Sequence, residues 1–199
     1  MLCPKPLVPL IDFGFNANAT KEVRIYKIRR TLLTGFSKSR RLITIIATSI
    51  AVIDHGTKIL VQQFLPLHTS ITIVPSVLDF THVRNTGVAF GLFSTVGFPF
   101  KSTVILIIAA AALSVIVVYA AGSTSNGRIA QVGLGLIIGG ALGNLIDRAM
   151  TGYVVDFIDV YWQSYHFWTF NLADSAITVG AAFLIIDTLM TGQNVSATT

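Results

Sequence analysis

Charge is scarce in this chain. Asp, Glu, Lys and Arg make up 12% of its 199 residues, against roughly a quarter in soluble domains. So few polar side chains cannot coat a water-soluble domain of this length. Cysteine is scarcer still. Cys3 stands alone, which excludes an intrachain disulfide and a cysteine-built metal cluster. No apolar stretch precedes it, so it does not read as a lipidation site. The histidines, His55, His68, His82 and His166, are scattered without metal-ligand spacing, and H-E-x-x-H is missing. There is no P-loop or dinucleotide fingerprint either. Neither a metal nor a cofactor is expected.

What is abundant is apolar side chain, at 53% of the residues. Four stretches approach the roughly 20 apolar residues that cross a bilayer core. They run over about 42–65, 102–121, 129–148 and 170–190. The expected fold is an all-α membrane protein of four transmembrane helices with a small β-rich element outside the cytoplasm. Ile71-Thr72-Ile73-Val74 and Val77 to Val83, broken by Pro75, and Tyr153 to Tyr161 supply the β-branched and aromatic residues of that element. The small, polar tail over 192–199 reads as disordered.

The remaining charge is uneven. Nine of the fourteen Lys and Arg precede Leu42, opposed there only by Asp12 and Glu22, so the net charge of +5 belongs to the N-terminal arm. No aromatic-basic platform or helix-turn-helix pattern accompanies it, and nucleic acid is not an expected partner. A basic flank on a membrane face is expected instead. The first 41 residues do not read as a secretory signal, because the following apolar run is long and more spans come after it. Lys38, Arg40 and Arg41 abut the first span, which places the N-terminus inside. Four spans then return the C-terminus to the cytoplasm, with Gly122 to Arg128 as a cytoplasmic turn. Segments of about 66–101 and 147–169 are left outside.

Most aspartates lie in or beside the spans, where an ionisable group is costly and functional by default. Asp54 and Lys58 are four apart on one helix, so mutual neutralisation competes with a functional role. Asp147-Arg148 at the end of the third span reads as an exposed pair at the lipid boundary, and Asp187 as structural. Gly135, Gly139 and Gly143 form a row of small residues that lets another helix approach closely. Asp156 and Asp174 differ from the rest. The topology brings them toward the outer surface from opposite sides of one short connection. Two carboxylates brought together cannot both ionise cheaply. One then keeps a proton and polarises a carbonyl while the other takes a proton from water. A proton-coupled transporter or channel using Asp54, Asp156 and Asp174 as a relay is the alternative. Against it, no inverted repeat or broken-helix pair is visible. No serine sits in G-x-S-x-G, and the G-x-G-D pattern of presenilin-like proteases is missing.

Read in order, five segments resemble the bacterial lipoprotein signal peptidases. They are Asp54-His55-Gly56-Thr57-Lys58, Asn85-Thr86-Gly87-Val88-Ala89-Phe90-Gly91, and the stretch from Gly139 to Arg148 ending in G-N-L-I-D-R. Gly152-Tyr153-Val154-Val155-Asp156-Phe157 and Phe170-Asn171-Leu172-Ala173-Asp174 complete the set. The resemblance covers about 42–190 and leaves the basic arm outside. One departure is the absence of the proline that many members carry before the last Phe-Asn. The resemblance implies an aspartyl endopeptidase of the inner membrane that cuts prolipoproteins before a diacylglyceryl-modified cysteine. Asp156 and Asp174 would be catalytic. Asn85, Gly87, Asn144, Arg148 and Asn171 would line or brace the site, with Asp54 and Lys58 in support. The expected partners are lipidated prolipoproteins and membrane lipid, and the expected state is a monomer. For each asparagine alone, helix-to-helix hydrogen bonding is the competing reading.

Overall fold

The computed structural model describes residues 17–87, 100–122 and 127–196. Val88 to Gly91, part of the Asn85–Gly91 motif, lie outside the described residues, as do 123–126 of the expected cytoplasmic turn and 197–199 of the tail. Two compact units divide the chain, Met1–Ser37 and Lys38–Thr199. The second holds the spans, the sheet and the candidate site.

Helix α1 runs over Ala17–Phe64, α2 over Lys101–Gly122, α3 over Arg128–Thr151 and α4 over Leu172–Ser196. Four segments within them are long and apolar enough to cross a membrane: Arg40–Phe64, Lys101–Ala120, Arg128–Thr151 and Leu172–Met190. Each lies within three residues of its expected bounds. The C-terminal expectation is corrected in part. α4 continues past Gly192 to Ser196, because a glycine inside a helix costs only about 1 kcal/mol and no proline follows to stop it.

α3 is the central helix, with 56% of its apolar window buried against 17% in each of the others. Its glycines explain why. A methyl group at Gly139 would lie 2.6 Å from the Ala47 carbonyl oxygen, and one at Gly143 2.5 Å from an Asp54 carboxylate oxygen, so α1 and α3 touch along this row. The packing reading of the glycines holds here. A second face of α3 carries Gly133 and Gly140 against Gly180 and Ala173 of α4. Without side chains in the way, backbones approach and dispersion contacts hold helices together where lipid offers no hydrophobic gain. Ile43 and Ala47 of α1, Leu113 and Ala120 of α2, and Leu134 and Ile138 of α3 close the apolar core.

Four antiparallel strands form the remaining element in the order β1-β2-β3-β4: Ser70–Val74, Leu78–Asn85, Val154–Trp162 and Tyr165–His166. Pro75 breaks the first pair as expected. The Val77 N–H donates to the Val74 carbonyl at 3.1 Å, with Ser76 in the left-handed region (φ 63°). Proline followed by a positive φ is the pattern of a type II turn. β3 is the strand that matters for the site. It begins just after α3, whose end is set by Gly152 at φ 79°, with its N–H donated to the Arg148 carbonyl. A left-handed cap of this kind suits glycine because no Cβ meets the preceding carbonyl.

Candidate active site

Asp156 lies on β3, opposite Val83 of β2. Its carboxyl accepts two amide donors: Asn85 Nδ2 at 2.9 Å on Oδ2 and Asn171 Nδ2 at 2.7 Å on Oδ1. The side chain is 3% exposed. Burial is the main reason that the Asp156 carboxyl is pushed up to about 6; the nearby Asp174 charge acts the same way, against the Asn85 and Asn171 donors and the Lys58 charge. Removing water penalises the ionised form more than neutral amides can compensate.

Asp174 reaches the same place through a helix cap. Asn171 precedes α4, and its Oδ1 accepts the Asp174 N–H at 3.0 Å. In return Asp174 Oδ2 accepts the Asn171 N–H at 3.3 Å. This is the reciprocal logic of a capping box, with Asn and Asp in place of Ser and Glu. Asn144 Nδ2 donates to the other oxygen of Asp174 at 2.8 Å. Asn171 therefore holds both acids, Asp156 by its side-chain amide and Asp174 by its backbone N–H. The segment before it is pinned to β3, since Phe170 donates to and accepts from Ile158. Asp156 and Asp174 thus share a hydrogen-bonding partner and line one cavity.

Behind this pair lies a closed ionic cluster. Lys58, 1% exposed, places Nζ 2.7 Å from Asp54 Oδ2, 2.9 Å from Asn144 Oδ1 and 2.7 Å from Asp147 Oδ2. The ammonium donates hydrogen bonds to Asp54 and Asn144 and forms an ion pair with Asp147. The other Asp54 oxygen accepts the Ala173 N–H at 2.9 Å, so α1 caps the first turn of α4. Asp54 and Lys58 make the contact that mutual neutralisation requires. The reading of Asp147 as an exposed boundary residue is corrected, because it is 8% exposed and faces Lys58. Asn144, Asp147 and Arg148 recur at three and four residues on α3. That spacing is the signal by which one shared face could have been read from sequence.

Arg148 closes the site. Nη1 donates to the Asn144 carbonyl at 3.2 Å and Nη2 to the Gly87 carbonyl at 3.1 Å. Gly87 is held from its other side as well, its N–H donated to Asn85 Oδ1 at 2.8 Å. Every candidate residue named from sequence is thereby in one connected network. A cavity of about 680 Å³ opens beside it, lined by Asn85, Asn144, Arg148, Asp156 and Asp174. Its walls are Phe167 to Phe170 and the flank of α4 from Ser175 to Val179. Sequence reading did not assign these wall residues, which carry no ionisable group to mark them. Among the described residues, no three His, Cys, Asp or Glu side chains converge to hold a metal.

Four helices long and apolar enough to cross a membrane, with two carboxyls on one cavity, define the class as a membrane protein with a polar site. Within it, the chain belongs to the signal peptidase II family, whose model matches residues 46–190. It is a membrane protease of that family. It is 42% identical over 147 residues to the lipoprotein signal peptidase of Geobacter metallireducens, covering 74% of this chain and 90% of the relative. Its identity to the Haemophilus influenzae lipoprotein signal peptidase is 40% over 136 residues, covering 68% and 78%. A solved bacterial membrane enzyme superposes with a TM-score of 0.66 at 35% identity, covering 75% of this chain and 88% of that one. The transporter alternative finds no support among these relatives.

Proposed function

We propose that this chain removes signal peptides from diacylglyceryl-modified prolipoproteins, cutting before the lipidated cysteine, with Asp156 and Asp174 as an aspartyl dyad. The observation that carries the reading is Asn171 holding both carboxyls on one cavity. Asp156 keeps the shared proton, in keeping with its burial and the nearby Asp174 charge, which outweigh its amide donors. Asp174 stands in the first turn of α4, where the helix dipole stabilises negative charge.

The ionised carboxylate takes a proton from water, and the oxygen attacks the scissile carbonyl. The protonated carboxyl donates to the carbonyl oxygen. Collapse of the tetrahedral intermediate passes a proton to the departing amine, and the pair returns to one proton. Asn85, Asn144 and Asn171 hold the acids in place, while Arg148 and Gly87 shape the wall. Asp54 and Lys58 brace α1, α3 and the start of α4.

The site belongs at the outer face of the inner membrane, with both termini and the basic arm of residues 1–41 in the cytoplasm. Lys38, Arg40 and Arg41 beside the first span support that orientation. A lipidated cysteine keeps its acyl chains in the outer leaflet, so its peptide bond meets a boundary site. One chain supplies every group of the network, which suits a monomer. Asp156→Asn and Asp174→Asn should each lower cleavage of a lipidated prolipoprotein by about 10³-fold, with the melting temperature maintained. Near-normal turnover by either variant would sink the dyad.

A further inference from the structure

The cavity wall from Phe167 to Phe170 runs beside β3 but is not a regular strand. The Phe167 N–H donates to the Val160 carbonyl at 2.9 Å. Phe170 donates to the Ile158 carbonyl at 3.0 Å and accepts from Ile158 at 2.8 Å. Trp168 and Thr169 together therefore stand opposite the single residue Asp159, which is the arrangement of a β-bulge. In an extended segment, neighbouring residues direct their backbone groups to opposite edges. The Phe170 N–H points to β3, so the Thr169 carbonyl, opposite it across the planar trans peptide, points away from β3, and Thr169 lines the cavity. Among the described residues, no backbone hydrogen bond joins the Thr169 N–H or carbonyl to β3. Two residues further on, Asn171 holds both carboxyls.

An unpaired backbone edge beside a hydrolytic site has a natural complement in the main chain of an extended peptide. We propose that the substrate segment around the scissile bond binds as an added strand, pairing its backbone with the N–H and carbonyl of Thr169. Strand residues advance by roughly 3.3 Å each, so a peptide paired at Thr169 presents a bond about two residues along to the dyad. Recognition through main-chain groups reads extended shape and tolerates differing side chains. The bulge supplies the edge by turning Thr169 away from β3. This inference rests on the peptidase reading given above and adds the mode by which the peptide is held.

The test uses the full chain in lipid nanodiscs and a synthetic lipidated prolipoprotein peptide. Thr169→Pro removes the amide donor and no intramolecular bond, whereas Thr169→Ala removes only the side chain. Both variants lose the Thr169 side chain, and Thr169→Pro should have a kcat/KM about tenfold below that of Thr169→Ala, the scale of one backbone hydrogen bond. Independently, peptides with one backbone amide replaced by ester should lose about tenfold in kcat/KM at one position near the cut. Equal turnover by Thr169→Pro and Thr169→Ala, in folded protein, overturns the proposal. If Thr169→Pro does not fold, the ester series with wild-type enzyme decides, and uniform cleavage across it overturns the proposal. Either result leaves the dyad standing so long as Asp156→Asn is inactive.

Discussion

Asp54, Lys58 and Asp147 form one ionic group in this bundle, and Asp156 and Asp174 form another, with Asn144 touching both. The acids are chemically alike, but their partners are not. In the first group a buried ammonium faces two carboxylates and an amide oxygen, and a backbone N–H completes Asp54. In the second, the donors contacting the carboxyls are neutral amides, and the cavity opens beside them. An ammonium compensates a buried carboxylate and leaves it nothing further to do. Amides position a carboxyl without cancelling its charge, so a neighbouring pair retains a proton and the capacity to move it. On the proposed reading, the choice of partner separates structure from chemistry in this bundle.

Lys58→Met should break that contrast most strongly. It leaves two buried carboxylates without their cation, a change worth about 3–5 kcal/mol of stability. A large fall in melting temperature is expected, whereas Asp156→Asn leaves it near or above the wild-type value. Equal stability of the two variants would contradict the division. Gly143→Ala probes the ionic group more gently. Its methyl would lie 2.5 Å from an Asp54 oxygen, and overpacking of this kind costs about 1–3 kcal/mol. Its pH–rate profile should match wild type, and a displaced profile would show that the two groups are not separable.

Asn85→Ala sharpens the other side, with the smallest expected effect. Asp156 must be protonated to act as the acid, so activity falls as pH rises through about 6. The Asn85 donor stabilises the ionised form and opposes the effect of burial. Its loss should move the basic limb of the pH–rate profile upward, which initial rates between about pH 5 and pH 9 would reveal. A limb that moves downward would reassign the acid.

The spans were legible because bilayer thickness imposes length and apolar content, and charge departs from that pattern at few positions. The approach of Asp156 and Asp174 to one cavity was legible in part from topology, since one short connection joins them. Resemblance to the signal peptidases then singled out the asparagines. The burial of Asp147 was missed because chain order suggests the end of a span and says nothing of a lysine one helix away. The cavity wall escaped for another reason. What distinguishes Thr169 is the direction of its backbone groups, set by a bulge that composition does not encode. Gly133 and Gly140 were passed over because the more conspicuous four-residue row drew the packing argument to a single face of α3.

The four-residue spacing of Asp54 and Lys58 also bears on how the protein is made. During synthesis α1 is complete before Asp147, Asn144 or Ala173 exists. Because the ammonium and its first carboxylate belong to the same helix face, that segment carries its own counter-charge into the membrane. An unaccompanied lysine there would cost the inserting helix about 2.5–3.5 kcal/mol on translocon-based scales. The cation is thus already lodged in the bilayer when α3 arrives with Asp147, and assembly of the later helices can proceed around a charge that α1 delivered in neutralised form.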